Sequence, residues 1–186
     1  MLKLLLSVLI PALLIALLAG CLGSPQGVVA IEGFDKQRYL GRWYEVARLD
    51  HSFERGLSNV TADYALREDG GIRVINRGYS TEDNAWQEAE GRAYFVGDQQ
   101  QGHLKVSFFG PFYGSYIIFQ LDKADYQYAF VAGNSKNYLW LLARTPTISL
   151  ALRKEFIARV TELGFDPEAL IFVDQELNLP QAAEVN

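Results

Sequence analysis

Residues 60–96 read VTADYALREDGGIRVINRGYSTEDNAWQEAEGRAYFV. Three runs alternate apolar with polar residues, and two turn signals divide them, Glu68-Asp69-Gly70-Gly71 and Thr81–Ala85. Val60, Ala62, Tyr64 and Leu66 share one phase against Thr61, Asp63 and Arg67. Ile72, Val74 and Asn76 oppose Arg73 and Arg77. Ala89, Gly91 and Ala93 oppose Glu88, Glu90 and Arg92. A period of two marks strands with one wet and one buried face. Turns of hairpin length make consecutive strands antiparallel neighbours.

The same punctuation extends in both directions. Strands are expected near Trp43–Leu49, Val60–Arg67, Ile72–Ser80, Gln87–Val96, His103–Phe109, Ser115–Asp122, Tyr126–Ala132 and Tyr138–Arg144. The link from Asp50 to Asn59 is longer than the other turns. Eight sequential strands leave unpaired edges unless the sheet closes into a barrel. After Thr145-Pro146 the period changes: Leu152, Phe156, Val160 and Leu163 form one helical stripe, with Ser149 placed as N-cap and Gly164 as C′ residue. That stripe has to bury itself on the outside of the sheet. A short strand at Leu170–Val173 follows. The expected fold is all-β: an eight-stranded antiparallel up-and-down barrel with one C-terminal α-helix packed outside and a short ninth strand.

The totals mix two objects. The chain has 186 residues, one Cys and a formal net charge of −5. Residues 1–20 hold 16 apolar residues, no acid and one charge, Lys3, so the remaining 166 residues carry −6. Lys3 and the apolar run Leu4–Leu18 have signal-peptide length, short of a bilayer span. The run ends in Leu18-Ala19-Gly20-Cys21, which resembles the bacterial lipobox. That resemblance implies cleavage before Cys21 and attachment of lipid to its sulfur. The expected organisation is a lipoprotein signal peptide at 1–20, a lipidated tether at 21–33 and a barrel domain at 34–180. Leu22 stands where an Asp would imply inner-membrane retention in enteric-type bacteria. The implied address is the outer membrane, with the domain facing the periplasm. A single Cys excludes an intrachain disulfide and a Cys-based zinc site. The acidic balance argues against a nucleic-acid partner. His51 and His103 are not spaced as metal ligands, and no nucleotide or hydrolase motif is present, so no metal, cofactor or catalytic residue is expected.

Three motifs carry a family resemblance. Gly41-Arg42-Trp43-Tyr44-Glu45 opens the first strand, Asp125-Tyr126 lies at the start of the seventh, and Leu139-Trp140-Leu141-Leu142-Ala143-Arg144 closes the eighth. In this order they resemble the conserved regions of the lipocalin family, except that Ala124 replaces the usual Thr of the second. Gly102–Gly114 (GHLKVSFFGPFYG) and Phe53-Glu54-Arg55-Gly56 narrow the likeness to the bacterial lipoprotein lipocalins, relatives of apolipoprotein D. The resemblance implies structural roles for Gly41, Trp43 and Arg144: a tight turn, a plug in the barrel base, and a guanidinium lying across the plug.

Arg144 at the base gives Leu142, Trp140 and Tyr138 the inward phase and turns Leu139, Leu141 and Ala143 out. The same logic turns Trp43, Glu45 and Ala47 inward. Strand Ser115–Asp122 is apolar on both phases and stays unassigned. The expected ligand-binding set is Ala62, Tyr64, Val74, Asn76, Ala89, Gly91, Ala93, Leu104, Val106, Phe108, Tyr138 and Trp140. The small residues Ala89, Gly91 and Ala93 either leave room for a ligand or are filled by large residues opposite. The open end would carry Phe53, Phe112 and Tyr113. The family resemblance implies a membrane-anchored protein, not an enzyme, that stores or transports fatty acids, lysophospholipids or similar lipids in envelope maintenance. Two alternatives stand beside it. One is a lipid- or isoprenoid-modifying enzyme using Glu45, Tyr64 or Tyr138, although Glu45 could instead neutralise Arg144. The other is a homodimer formed through the aromatic rim.

Overall fold

A computed structural model describes residues 22–176. The leader, Cys21 and residues 177–180 of the expected domain lie outside the described residues. A one-turn helix α1 (Lys36–Tyr39), capped by the Asp35 carboxylate on the Gln37 N–H, leads into the barrel. The strands are β1 (Gly41–Leu49), β2 (Leu57–Leu66), β3 (Ile72–Ser80), β4 (Ala85–Phe95), β5 (His103–Ser107), β6 (Gly114–Leu121), β7 (Tyr128–Ala132) and β8 (Leu139–Ala143). Helix α2 (Leu150–Glu162) and strand β9 (Leu170–Phe172) follow. Each strand pairs antiparallel with the next, as the hairpin-length turns require, and β1 pairs with both β2 and β8. The sheet is therefore a closed eight-stranded up-and-down barrel.

β1 follows β2 only from Gly41 to Tyr44. Beyond that point the two diverge, and β9 takes the freed edge, pairing Ala47 with Phe172 and Leu49 with Leu170. The Gln175 side chain fills the opening: its Nε2 donates to the Glu45 carbonyl at 2.8 Å and the Val60 carbonyl at 3.0 Å. Two carbonyls that lost their ladder partners are thereby satisfied.

Two bulges correct the strand phases. The β1–β8 register shifts between Glu45 and Ala47. An extra residue moves every later side chain to the other face. Ala47, expected inside, packs in the outer cluster, and Arg48 turns inward. A second shift, between Ile118 and Gln120, explains why the sixth strand showed no phase. Ile118 and Leu121 lie in the interior cluster, Ile117 and Phe119 in the outer one, and Gln120 donates to Glu155 of α2.

The outer cluster is the seat of α2. Phe156 and Val160 are fully buried against Ile117, Phe130, Leu139 and Leu141. The Phe130 and Phe156 rings meet edge-on, 4.9 Å between centroids. Ser149 caps the helix by accepting from the Leu152 N–H, and Gly164 ends it at φ +76°, a conformation that costs glycine nothing.

Candidate functional site

The barrel is closed at the base. Trp43 is wholly buried, and its Nε1 donates to the Tyr39 carbonyl at 2.8 Å. The Arg144 guanidinium lies 3.9 Å from the Trp43 ring centroid and donates to the carbonyls of Arg42 at 2.8 Å, Arg38 at 2.7 Å and Tyr126 at 3.3 Å. Stacking and hydrogen bonding together lock the plug. Above it three phenols join: the hydroxyl of Tyr116 is 2.7 Å from that of Tyr39 and 2.9 Å from that of Tyr64. Burial pushes all three up, so each keeps its proton.

Over this polar floor stands an open cavity of about 620 Å³. Of the expected set, Tyr64, Val74, Asn76, Ala89, Ala93, Leu104, Val106, Phe108, Tyr138 and Trp140 border it. Two expected residues do not. Ala62 faces inward but pairs with Trp43 and packs in the cluster around it, below the space. Gly91 lies under the Phe108 ring, where a Cβ would come within 2.8 Å of ring carbons. At that position the large residue opposite does fill the gap.

The upper wall carries charge of which the sequence pattern marked only Glu45. Glu45, Arg48, His51 and Glu54 are all buried. Arg48 Nη1 binds the Glu45 carboxylate at 2.6 Å, and its Nη2 donates to the carbonyls of Glu54 at 2.8 Å and Leu57 at 3.1 Å. Glu45 is thus neutralised by Arg48 and not by Arg144. Glu54 borders the cavity and accepts from Trp140 Nε1 at 3.0 Å. His51 Nε2 stands 3.3 Å from the same carboxylate, and its ring stacks on Phe53 at 4.2 Å. Burial pushes Glu45 well up, and the neighbouring Glu54 adds to this against the pull of Arg48. Burial also pushes Glu54 up. Burial and Arg48 push His51 down to about 4, so it is neutral near pH 7. Arg48 escaped notice because the bulge hid its phase, and Glu54 because a loop has no period. The only visible signal was the inward Glu45, a buried acid that required a cation nearby.

This geometry does not favour acid–base catalysis by Glu45 or Tyr64. Glu45 is ion-paired outside the cavity lining, and Tyr64 is hydrogen-bonded and harder to ionise than a free phenol. Among the described residues, no group of three or more His, Cys, Asp and Glu is placed to hold a metal ion.

Comparison with known proteins fits the architecture. A family described as "Lipocalin-like domain" matches residues 34–175. The outer membrane lipoprotein Blc of Vibrio cholerae serotype O1 is 59% identical over 160 residues, covering 86% of this chain and 94% of that protein. The protein of the same name from Escherichia coli K12 is 53% identical over 151 residues, covering 81% and 85%. Among solved structures, the cockroach allergen Per a 4 superposes with a TM-score of 0.63 at 23% identity, covering 81% of this chain and 94% of that one, a likeness of fold alone. A closed barrel with this plug, this helix and this relatedness has one reading: the chain belongs to the lipocalin family.

Proposed function

We propose that the protein is a lipid-anchored lipocalin of the outer membrane, its domain facing the periplasm, that reversibly binds fatty acids, lysophospholipids or similar single-chain lipids. Attachment would be through Cys21 after removal of residues 1–20. The observation that carries the ligand class is the cavity: about 620 Å³, open at one end and walled largely by apolar side chains, with polar groups confined to few places. A hydrocarbon tail entering it leaves water at a gain of about 0.8 kcal/mol per buried methylene. Tyr39, Tyr64 and Tyr116 satisfy one another at the floor and place no charge there. Asn76 Oδ1, buried and without a protein partner, is a free acceptor in the wall. Glu54 and the open rim suit a polar head group rather than a second tail. The name of the relatives supports the membrane address, as does the lipobox-like end of the leader.

The test is direct. The protein purified from its native membrane is extracted and its lipids identified by mass spectrometry, and a fluorescent fatty acid is then displaced by unlabelled palmitate and by lysophospholipid. Bound single-chain lipid with saturable displacement is expected. Absence of both would overturn the reading.

A further inference from the structure

The described chain begins on the outer face of the barrel, at a defined place. Ser115 Oγ donates to the Gly23 carbonyl at 2.9 Å, which holds the start of the tether against β6. Cys21 is two residues from Gly23, at most ~7 Å of extended chain. Ser115 pairs with Lys105 on β5, and on β4 Arg92 pairs with Ser107. The tether thus meets this patch of the wall at Ser115 on β6, and Lys105 on β5 and Arg92 on β4 stand beside that point.

The rim loop directly above that patch, residues 108–113, carries the two most exposed aromatic residues of the described chain, Phe109 at 78% and Phe112 at 80%. Tyr113 folds back over the patch. Arg92 Nε donates to its hydroxyl at 3.0 Å, and Lys105 Nζ lies 5.1 Å from its ring centroid. Neither cation has a carboxylate at ion-pair distance among the described residues, whereas Arg42, Arg55, Arg67 and Arg73 each do. In a domain of net charge −6, these two cations stand beside two exposed Phe residues at the tether exit. Aromatic side chains seat at the headgroup–acyl boundary, and Lys or Arg near an anionic surface strengthens attachment about fivefold per charge.

We propose that this flank, from Leu22 to the 108–113 loop, docks on the bilayer that holds the anchor. Phe109 and Phe112 enter its interface, and Arg92 and Lys105 meet anionic head groups. The inference rests on the anchoring at Cys21 proposed above. It places the cavity mouth, which both Phe residues also border, at the membrane surface.

The full lipidated protein is reconstituted in phosphatidylcholine–phosphatidylglycerol vesicles containing phospholipid brominated on its acyl chains. With Cys21 blocked by lipid, Phe112→Cys supplies a single labelling site at the rim and Lys123→Cys one at the opposite end of the barrel. Bromine should quench a fluorophore at 112 and leave one at 123 unaffected. Excess palmitate should not change this, and Arg92→Gln with Lys105→Gln should lower the docking equilibrium constant about fivefold per charge removed. Equal quenching at both sites overturns the proposal. So does quenching at 112 that palmitate abolishes, which would report lipid inside the cavity, or self-quenching relieved by unlabelled chains, which would report a second copy. Fatty-acid displacement in solution tests the binding reading separately, so failure of either is visible alone.

Discussion

Arg144 acts through its neighbours. Its guanidinium covers Trp43 and supplies hydrogen bonds to three carbonyls from three parts of the chain. Arg144→Ala should destabilise the protein by about 2–4 kcal/mol in urea unfolding, since it removes the stacking and strands acceptors near the base. Arg144→Lys should recover little of that, because an ammonium can neither stack flat nor reach all three carbonyls. His51 gives a pH dependence of known sign. Its folded value is depressed from 6.5 to about 4, so the unfolded chain takes up its proton first. The stability it contributes is present above pH 6.5 and is lost as the pH falls towards 4. Glu45 and Glu54 are raised, so their contribution runs the other way and fades as pH rises above the ordinary Glu range. Replacing His51 by Gln should leave a pH–stability curve that gains on the wild type by up to about 3 kcal/mol between pH 7 and pH 4, followed by urea midpoints.

Legibility followed regularity. β3 and β4 were readable because polar residues alternate cleanly on an exposed face, as Arg73, Arg77, Glu88, Glu90 and Arg92 show. The helix stripe was readable because Phe156 and Val160 have one place to go. What failed was local irregularity. A bulge after Glu45 inverted Ala47 and Arg48, and no residue type at that position announces an inserted residue. The cavity lining was largely legible from phase, but two small residues misled. Ala62 and Gly91 point inward, yet depth along the barrel and the reach of Phe108 decide what borders empty space. The charged wall was nearly invisible, because Glu54 and His51 come from a connection that folds in against Trp140. The seam between β1 and β2 was not foreseen at all. There Gln175→Ala should cost about 1–3 kcal/mol, leaving two buried carbonyls unpaired, while an Ala at exposed Glu168 should change the urea midpoint little.

For the molecule as a container, the polar floor sets a limit on tail length. Affinity for saturated fatty acids should rise by about 0.8 kcal/mol per added methylene and then level off once the tail meets Tyr116 and its partners. Displacement titrations across a chain-length series would show the break. Saturating ligand should also raise the melting temperature, since only the folded barrel binds it. The same closed architecture governs when the container can exist. Tyr44 pairs with Ala143 and Ala47 with Phe172, so β8 and β9, the partners that close the barrel on β1, arrive about a hundred residues after it does. A ribosome releases the first stave of the barrel long before the last. Until residues 139–175 have been made, the plug has no guanidinium above it and the seam has no Gln175. Folding to the closed form thus waits for the end of the chain. That delay keeps the polypeptide in a threadable state for any translocation machinery that takes it up while it is being made.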